Sequence, residues 1–116
     1  MARTIAVAVH RLTAAPPLQR EFTLRDQIPR AALSIMANIA EGFGRGGDKE
    51  FASFLDIARG SAAELESHLM LVQALHDQLG DTIAQLRQDL GLCISMIARL
   101  TSYLRKPGLP DFRTNQ

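Results

Sequence analysis

Apolar residues recur three or four positions apart along most of this chain, a spacing that places them on one face of an α-helix. The pattern predicts a first helix over residues 3–14, ended by Pro16 and Pro17 because neither proline offers a backbone N–H. Leu18 and Phe22 belong to a short linker, and we expect both side chains to tuck under the core. The apolar positions of this first helix are Ile5, Val9 and Leu12.

A second helix is predicted to begin at Thr23, where Thr23 and Asp26 resemble a capping box with aspartate in place of the usual glutamate. Pro29 lies inside the apolar pattern, so it either kinks this helix or marks its true first turn, with the cap moved to Asp26. The sequence supports both alternatives. Gly42 is expected to stop the helix, and residues 44–47 to form a glycine-rich corner. The apolar stripe is Leu24, Ile28, Ala32, Ile35, Ile39 and Phe43.

The third predicted helix carries the longest periodic pattern, nine positions that alternate four and three residues apart. Asp48 is expected to cap its start and Gly80 to end it. Further apolar residues flank this seam, so the apolar face is wide enough for a core and a second contact surface. Gly60, in mid-helix, costs about 1 kcal/mol relative to alanine, which favours close approach of another helix there. The seam is Phe51, Leu55, Ala58, Ala62, Leu65, Leu69, Val72, His76 and Leu79, flanked by Phe54, Ile57, Leu71 and Leu75.

A fourth helix is predicted to start at a cap on Asp81 and to end before Pro107. Residues 1–106 then form one domain, and residues 107–116 a flexible C-terminal tail. The last three helices are joined by short connections, so they should be antiparallel neighbours. We therefore predict an all-α fold, an antiparallel up-down-up-down four-helix bundle with a short first helix. The fourth apolar stripe is Ile83, Leu86, Leu90, Cys93, Ile97, Leu100 and Leu104.

The amino-acid composition also favours a helical fold, and the charged residues are unevenly distributed along the chain. Apolar residues make up 47% of the 116 residues and tryptophan is absent, which favours helix packing over a β-sandwich. The net charge is only +1, but it is unevenly distributed. Residues 1–47 carry six arginines against three acids, residues 48–80 two basic residues against six acids, and residues 81–116 five against three. An acidic element between two basic ones suits complementary packing, within the chain or between subunits.

Cys93 is the only cysteine, so no intrachain disulfide can form. It falls on the fourth apolar stripe and is predicted to be a small buried hydrophobe rather than a nucleophile. No run of about 18 apolar residues predicts a membrane span, and the N-terminus has no signal-peptide pattern. We expect a cytoplasmic protein with no membrane partner.

A polar line interrupts the apolar surroundings on the second helix. Ser34, Asn38 and Glu41 stand at i, i+4 and i+7, and Ser61 and Glu64 share a face of the next helix. The five residues are either a satisfied network that fixes helix register, an interface within an oligomer, or a ligand site. We favour the network, with contacts between the two serines and between Asn38 and the backbone. Glu41 would reach the next helix or a nearby basic side chain.

No catalytic arrangement follows from the sequence. A di-iron bundle needs Glu-x-x-His pairs, and none occurs. Glu64 and His68 are one helical turn apart but lack matching ligands, and His76 is predicted to be a partly buried core or interface residue. No Gly-x-Ser-x-Gly or nucleophile–histidine arrangement is present. We predict a protein that is not an enzyme and holds no metal or cofactor.

The corner over residues 42–49 combines glycines, basic residues and a helix start, as phosphate-binding loops do. No strand precedes it and no Gly-Lys-Ser/Thr follows, so a plain helix-to-helix turn with a solvated basic rim is favoured. Its aromatic residues, Phe43 and Phe51, are expected in the core. A nucleic-acid contact is the alternative, since phosphate affinity grows with the number of cations that an oligomer presents. The candidate residues are Arg25, Arg30, Arg45 and Lys49.

Taken in order, these motifs resemble the four-helix-bundle proteins named for the intervening sequences of 23S ribosomal RNA genes. The resemblance covers roughly residues 8–105. The chain differs from that family at Met36, where proline is usual, at Pro29, where a basic residue is usual, and in its shorter first helix. The matching segments are residues 26–28, 30–35, 38–45, 49–51, 54–55, 58, 60–61 and 63–66.

The resemblance implies an up-down-up-down bundle that assembles with copies of itself, as a pentameric ring in known relatives, and it does not imply an enzyme. A related group, the accessory variability proteins of diversity-generating retroelements, binds nucleic acid and a reverse transcriptase through a basic surface. RNA or DNA is therefore the second partner that the resemblance implies. This chain lacks a comparable excess of lysine and arginine.

Overall fold

The computed structural model describes residues 1–108, and this part of the chain is all-α, as predicted: five α-helices, four of them long, one short 3₁₀ helix and no strand. The tail predicted over residues 107–116 lies, from residue 109 onward, outside the described residues. The elements are α1 (Ala2–Ala14), α2 (Pro16–Gln19), α3 (Phe22–Gly44), α4 (Asp48–Leu75), a 3₁₀ helix (Asp77–Leu79) and α5 (Gly80–Leu104).

The first helix ends before the two prolines, as predicted, but the linker after it is not irregular. Residues Pro16–Gln19 form the single turn α2, and its Leu18 is fully buried, as expected. Phe22 is 62% exposed, so the prediction that it tucks under the core is wrong. The reason is its place in α3: Phe22 precedes the buried Leu24 by two residues, about 200° around the helix.

The start of α3 settles the position of Pro29. Glu21 occupies the cap position and α3 begins at Phe22, so Thr23 is already helical and the predicted capping box does not form. Pro29 therefore lies in the helix interior, not in the first turn. Because Pro29 has no backbone N–H, the carbonyl of Arg25 lacks its usual helical partner. The helix continues despite the loss of this one hydrogen bond.

The corner between α3 and α4 also differs from the prediction. Gly42 does not stop α3, which continues to Gly44. Gly42 is buried, and a Cβ on it would lie 2.6 Å from the Cβ of Phe54 in α4, so this glycine permits close helix approach. The turn itself uses Gly46, whose φ of 92° favours glycine. Gly60, expected to serve close approach, is exposed and would meet nothing within 4 Å among the described residues.

The ends of α4 are shifted from their predicted positions. Gly47 is the cap residue and Asp48 the first helical residue, so Asp48 is not the cap. The helix ends at Leu75 rather than Gly80, because His76 leaves helical geometry at φ −133° and ψ 83°. No glycine or proline marks this break in the sequence. Seven of the nine seam positions, from Phe51 to Val72, are buried as predicted.

Six of the seven predicted α5 stripe positions are buried, including Cys93 at 4% exposure, and the seventh, Leu100, is partly buried against the core. The helix begins at Gly80, so Asp81 lies in its first turn and is not the cap. Successive long helices contact each other, α1 with α3, α3 with α4 and α4 with α5, and α1 also contacts α5. Within residues 1–108, no helix has the length and apolar character that a membrane span requires.

Candidate functional site: a polar network at the α3–α4 contact

The polar line predicted on α3 is built around two serines. Ser34 of α3 and Ser61 of α4 approach to 2.6 Å between their Oγ atoms, and either hydroxyl can donate. Asn38, one turn after Ser34, donates its Nδ2 to the Ser34 carbonyl at 2.8 Å and to the Ser34 Oγ at 3.1 Å. Both expected contacts, serine to serine and Asn38 to backbone, are therefore present.

The network lies where water has limited access. Ser34, Asn38 and Ser61 are all half-buried, and Ser34 is followed by the fully buried Ile35. A buried hydroxyl without a partner would cost about 1–3 kcal/mol, and the network supplies partners to both. Those partners are neutral hydroxyl, amide and carbonyl groups, which do not raise the nucleophilicity of a serine. The arrangement is therefore better suited to fixing the register of α3 against α4 than to activating a serine as a nucleophile.

The two glutamates of the predicted set are not part of this network. Glu41 forms an ion pair with Arg45 at 3.0 Å, one of the partners expected for it. Glu64 lies 3.3 Å from the Nε2 of His68 on the same helix. Both carboxylates are more than half exposed. Of the five predicted residues, the structure joins Ser34, Asn38 and Ser61 and leaves the glutamates on the surface.

The four predicted nucleic-acid contacts do not form one patch. Arg25 is held locally, with Nη1 donating to the Gln19 carbonyl at 3.1 Å and its guanidinium 4.7 Å from the Phe22 ring centre. Arg30 is exposed on the same helix. From these residues to Arg45 the helix rises by roughly 22–30 Å. The pairs Arg25–Arg30 and Arg45–Lys49 are thus separated along α3.

Two basic residues outside the predicted set lie near Lys49. Arg105 and Lys106, just after α5, line a cleft of about 480 Å³ together with Asp48, Lys49 and Ser53 of α4. If α5 runs antiparallel to α4, the end of α5 lies beside the start of α4. The sequence could therefore have indicated that Arg105 and Lys106 lie near Lys49. The basic character predicted for the corner therefore comes partly from the end of the described chain.

One of these cations is engaged by a carboxylate. Arg105 donates from both terminal nitrogens to the two carboxylate oxygens of Asp56, with Nη1 at 3.2 Å from Oδ1. The Arg105 hydrogen bond lowers the pKa of Asp56, and that of Arg105 is raised by the same contact. Arg45 is similarly occupied, with its guanidinium 5.4 Å from the Phe54 ring centre besides the Glu41 pair.

The aromatic residues at the corner divide between core and surface. Phe51 is 2% exposed, as expected, whereas Phe43 is 43% exposed and the prediction of a core position is wrong. The two rings make an edge-to-face contact at 5.8 Å between centroids. Phe43 lies at the end of α3, where no further turn covers it.

An apolar cavity of about 250 Å³ lies near the start of α1. Met1 is at its edge, and Leu55, Cys93 and Ile97 contribute core side chains. Burial raises the pKa of the Cys93 thiol, which keeps the thiol protonated and poorly reactive. The side chains that line it carry no charge, and the charged group that acts on the Cys93 thiol is the N-terminal ammonium of Met1.

Histidines and acidic residues do not gather into a metal site. Within residues 1–108, no group of three or more His, Cys, Asp or Glu side chains is placed to hold a metal ion. His76 is partly buried, as predicted, with 16% of its side chain exposed. Its Nε2 lies 3.4 Å from Glu21 Oε1, within ion-pair distance for a protonated imidazole but without hydrogen-bond geometry.

The helices and the neutral network define an all-α protein whose most specific feature is how α3 is held against α4. The chain matches the family described as 23S rRNA-intervening sequence protein over residues 1–99, and it belongs to that family. No curated protein and no solved structure matches it.

Proposed function

We propose that the chain is a non-enzymatic four-helix-bundle protein that assembles with copies of itself and acts as an assembly or macromolecule-binding unit. The proposal is supported mainly by the apolar surface that the single chain leaves exposed. Large apolar side chains, each at least 36% exposed, occur on all four long helices. They include Val7, Leu33, Met36, Ile57, Leu71, Leu75, Leu92 and Met96.

An antiparallel α3–α4 pair is supported by contacts along its whole length. Gly42 of α3 lies against Phe54, Ser34 bonds to Ser61, and Glu21, just before α3, lies 3.4 Å from His76. From Gly42 back to Glu21 the residue numbers fall, while those of their partners rise from Phe54 to His76, as antiparallel packing requires.

The α4–α5 pair has the same relationship. Arg87 Nη1 donates to Gln73 Oε1 at 3.0 Å, and Arg105 bonds to Asp56 near the other end. Together with the α1 contacts to α3 and α5, these pairs support the up-down-up-down bundle.

Self-assembly follows from the amount of uncovered apolar surface. Covering the exposed apolar side chains with a second copy removes their remaining apolar surface from water, which favours association. Ile57, Leu71 and Leu75 flank the α4 seam and remain about half exposed, as expected for a second contact surface. The family resemblance favours a ring of five subunits, and the single buried cysteine suits a reducing cytoplasm.

Light scattering after size-exclusion chromatography tests self-assembly. At low-micromolar concentration, we expect a molar mass that is a multiple of the 12.7 kDa chain. The same preparation in concentrated guanidinium provides the single-chain reference. A mass of one chain in native buffer would remove the proposal.

Nucleic-acid binding is the second candidate, favoured by the cleft that Lys49, Arg105 and Lys106 share. Phosphates would be attracted to these cations, and an oligomer would multiply them. Fluorescence anisotropy with labelled RNA and duplex DNA in moderate salt tests this candidate. We expect binding that weakens with salt and with Lys49→Glu/Lys106→Glu, but not with Arg20→Glu, which removes a distant positive charge. An unchanged anisotropy with both nucleic acids would exclude it.

A further inference from the structure

A groove runs between α1 and α3 on the surface. Its volume is about 400 Å³, and its apolar lining includes Val7, Leu33 and Met36. Val7 and Leu33 are 43% and 47% exposed. These side chains would gain stability from a covering partner, because apolar surface is removed from water on contact.

The rim of this groove is cationic. Arg3 and Arg11 both line it, with Val7 between them at helical spacing on α1. His10 also lines the groove, and none of the lining residues is acidic. Within residues 1–108, neither guanidinium has an ion-pair partner. The groove therefore favours an apolar surface that carries carboxylates.

The outer face of α4 has this chemistry. Glu50, Ile57, Glu64 and Leu71 are seven residues apart, so they form one line along the helix. All four are exposed, on the side away from the buried seam. Gly60 lies beside Ile57 on this face with open space around it, so another helix can approach its backbone closely.

Charge distinguishes α4 from the other apolar helix face. Leu92 and Met96 are about half exposed on α5, and that side of the helix carries one charge of each sign, Asp89 before them and Arg99 after them. Docking α5 into the groove would bring Arg99 toward two unpaired arginines. On the α4 line the charged members are both glutamates, which complement them.

We infer that the basic-rimmed α1–α3 groove of one copy receives the acidic outer face of α4 from a second copy. The inference rests on the proposed self-assembly and names the two surfaces that carry it. Because these surfaces differ, the contact is head-to-tail, and repeated copies close into a ring when the rotation between neighbours permits.

Charge exchange tests the inference by light scattering. Arg3→Glu/Arg11→Glu places carboxylates opposite Glu50 and Glu64, so we expect the assembled mass to fall to one chain of 12.7 kDa. Glu50→Lys/Glu64→Lys should have the same effect from the other surface. The chain carrying all four substitutions restores opposite charges, and we expect it to assemble again. All of these positions are exposed, and circular dichroism checks that each variant keeps its helix content.

Arg20→Glu/Arg99→Glu is the matched control, because it reverses two exposed arginines outside the groove. We expect it to stay assembled; its dissociation would point to net charge or α5 and would overturn the inference. Two other results would also overturn it. One is that both double variants of the groove and of α4 remain assembled, and the other is that the variant with all four substitutions remains a single chain. In these cases the wild type still assembles, so self-assembly survives. A single-chain wild type instead removes self-assembly and the inference with it.

Discussion

The Oγ atoms of Ser34 and Ser61 lie 2.6 Å apart across the α3–α4 contact, midway along the two helices. This bond fixes the register of two neighbouring helices by a polar contact within apolar packing. Asn38 strengthens the arrangement by donating to the same Ser34 hydroxyl. The network can be tested by removing its members one at a time and together.

Ser34→Ala is expected to destabilise the protein by about 1 kcal/mol, because Ser61 and Asn38 both lose a hydrogen-bond partner. The double variant with Ser61→Ala should cost less than the two single changes added together. Urea unfolding at one fixed protein concentration measures these values. The exposed Ser95→Ala provides the control for the higher helix propensity of alanine. Strict additivity of the two serine changes would mean that they are not coupled.

Gly42→Ala is expected to destabilise the protein by about 1–3 kcal/mol, because the new Cβ has no room in the packed α3–α4 contact. That Cβ would lie 2.6 Å from Phe54 Cβ and 3.0 Å from Phe51 Cδ1. Thermal or urea unfolding measures the change.

Gly91→Ala is the matched control for Gly42, since it lies inside α5 with nothing within 4 Å of its added Cβ among the described residues. We expect it to stabilise the protein by about 0.5–1 kcal/mol. Equal effects of the two substitutions would contradict the close approach at Gly42.

The Asp56–Arg105 pair predicts a pH dependence. The pKa of Asp56 is lowered in the folded chain by the Arg105 hydrogen bond, so the pair stabilises the fold above the aspartate's unfolded pKa. This contribution disappears as the pH falls through the lowered folded value. Both groups are largely exposed, so the effect is small and salt-sensitive.

NMR titration of the Asp56 carboxyl measures this directly. Arg105→Gln should raise the pKa of Asp56 toward the ordinary value for aspartate, whereas the same change at the exposed Arg99 should not. If the Asp56 pKa is the same in the wild type and in Arg105→Gln, the ion pair does not form in solution.

Cys93 is expected to react slowly with a water-soluble thiol reagent, since it is 4% exposed and burial raises its pKa. The reaction should become fast in concentrated urea, which serves as the internal control for a reactive thiol. Absorbance of the released chromophore follows both rates. Labelling of the native protein at the unfolded rate would contradict the buried position.

The apolar spacing predicted the helices and the core well, because burial of one helix face is a regular property of sequence. It predicted the buried positions from Phe51 to Val72 in α4 and the position of Cys93 in α5. Helix ends were less predictable, since Thr23 and Asp81 have capping chemistry but lie inside helices. The break at His76 has no local signal at all.

Close approach and polar contacts depend on how two helices are placed in space. The sequence contains Gly42 and Gly60 alike, yet only Gly42 lies against a neighbouring helix. The bond between Ser34 and Ser61 was predictable from their positions on either side of a short corner. The cleft containing Lys49 and Lys106 was not selected, because it joins residues far apart in sequence.

Native mass spectrometry tests the central claim of self-assembly most directly, because it counts the subunits in each particle. We expect one dominant species whose mass is a whole multiple of 12.7 kDa, with five as the multiple favoured by the family resemblance. A different multiple would retain self-assembly and correct the subunit number. A spectrum containing only the single chain, at concentrations where the protein is folded, would contradict the claim.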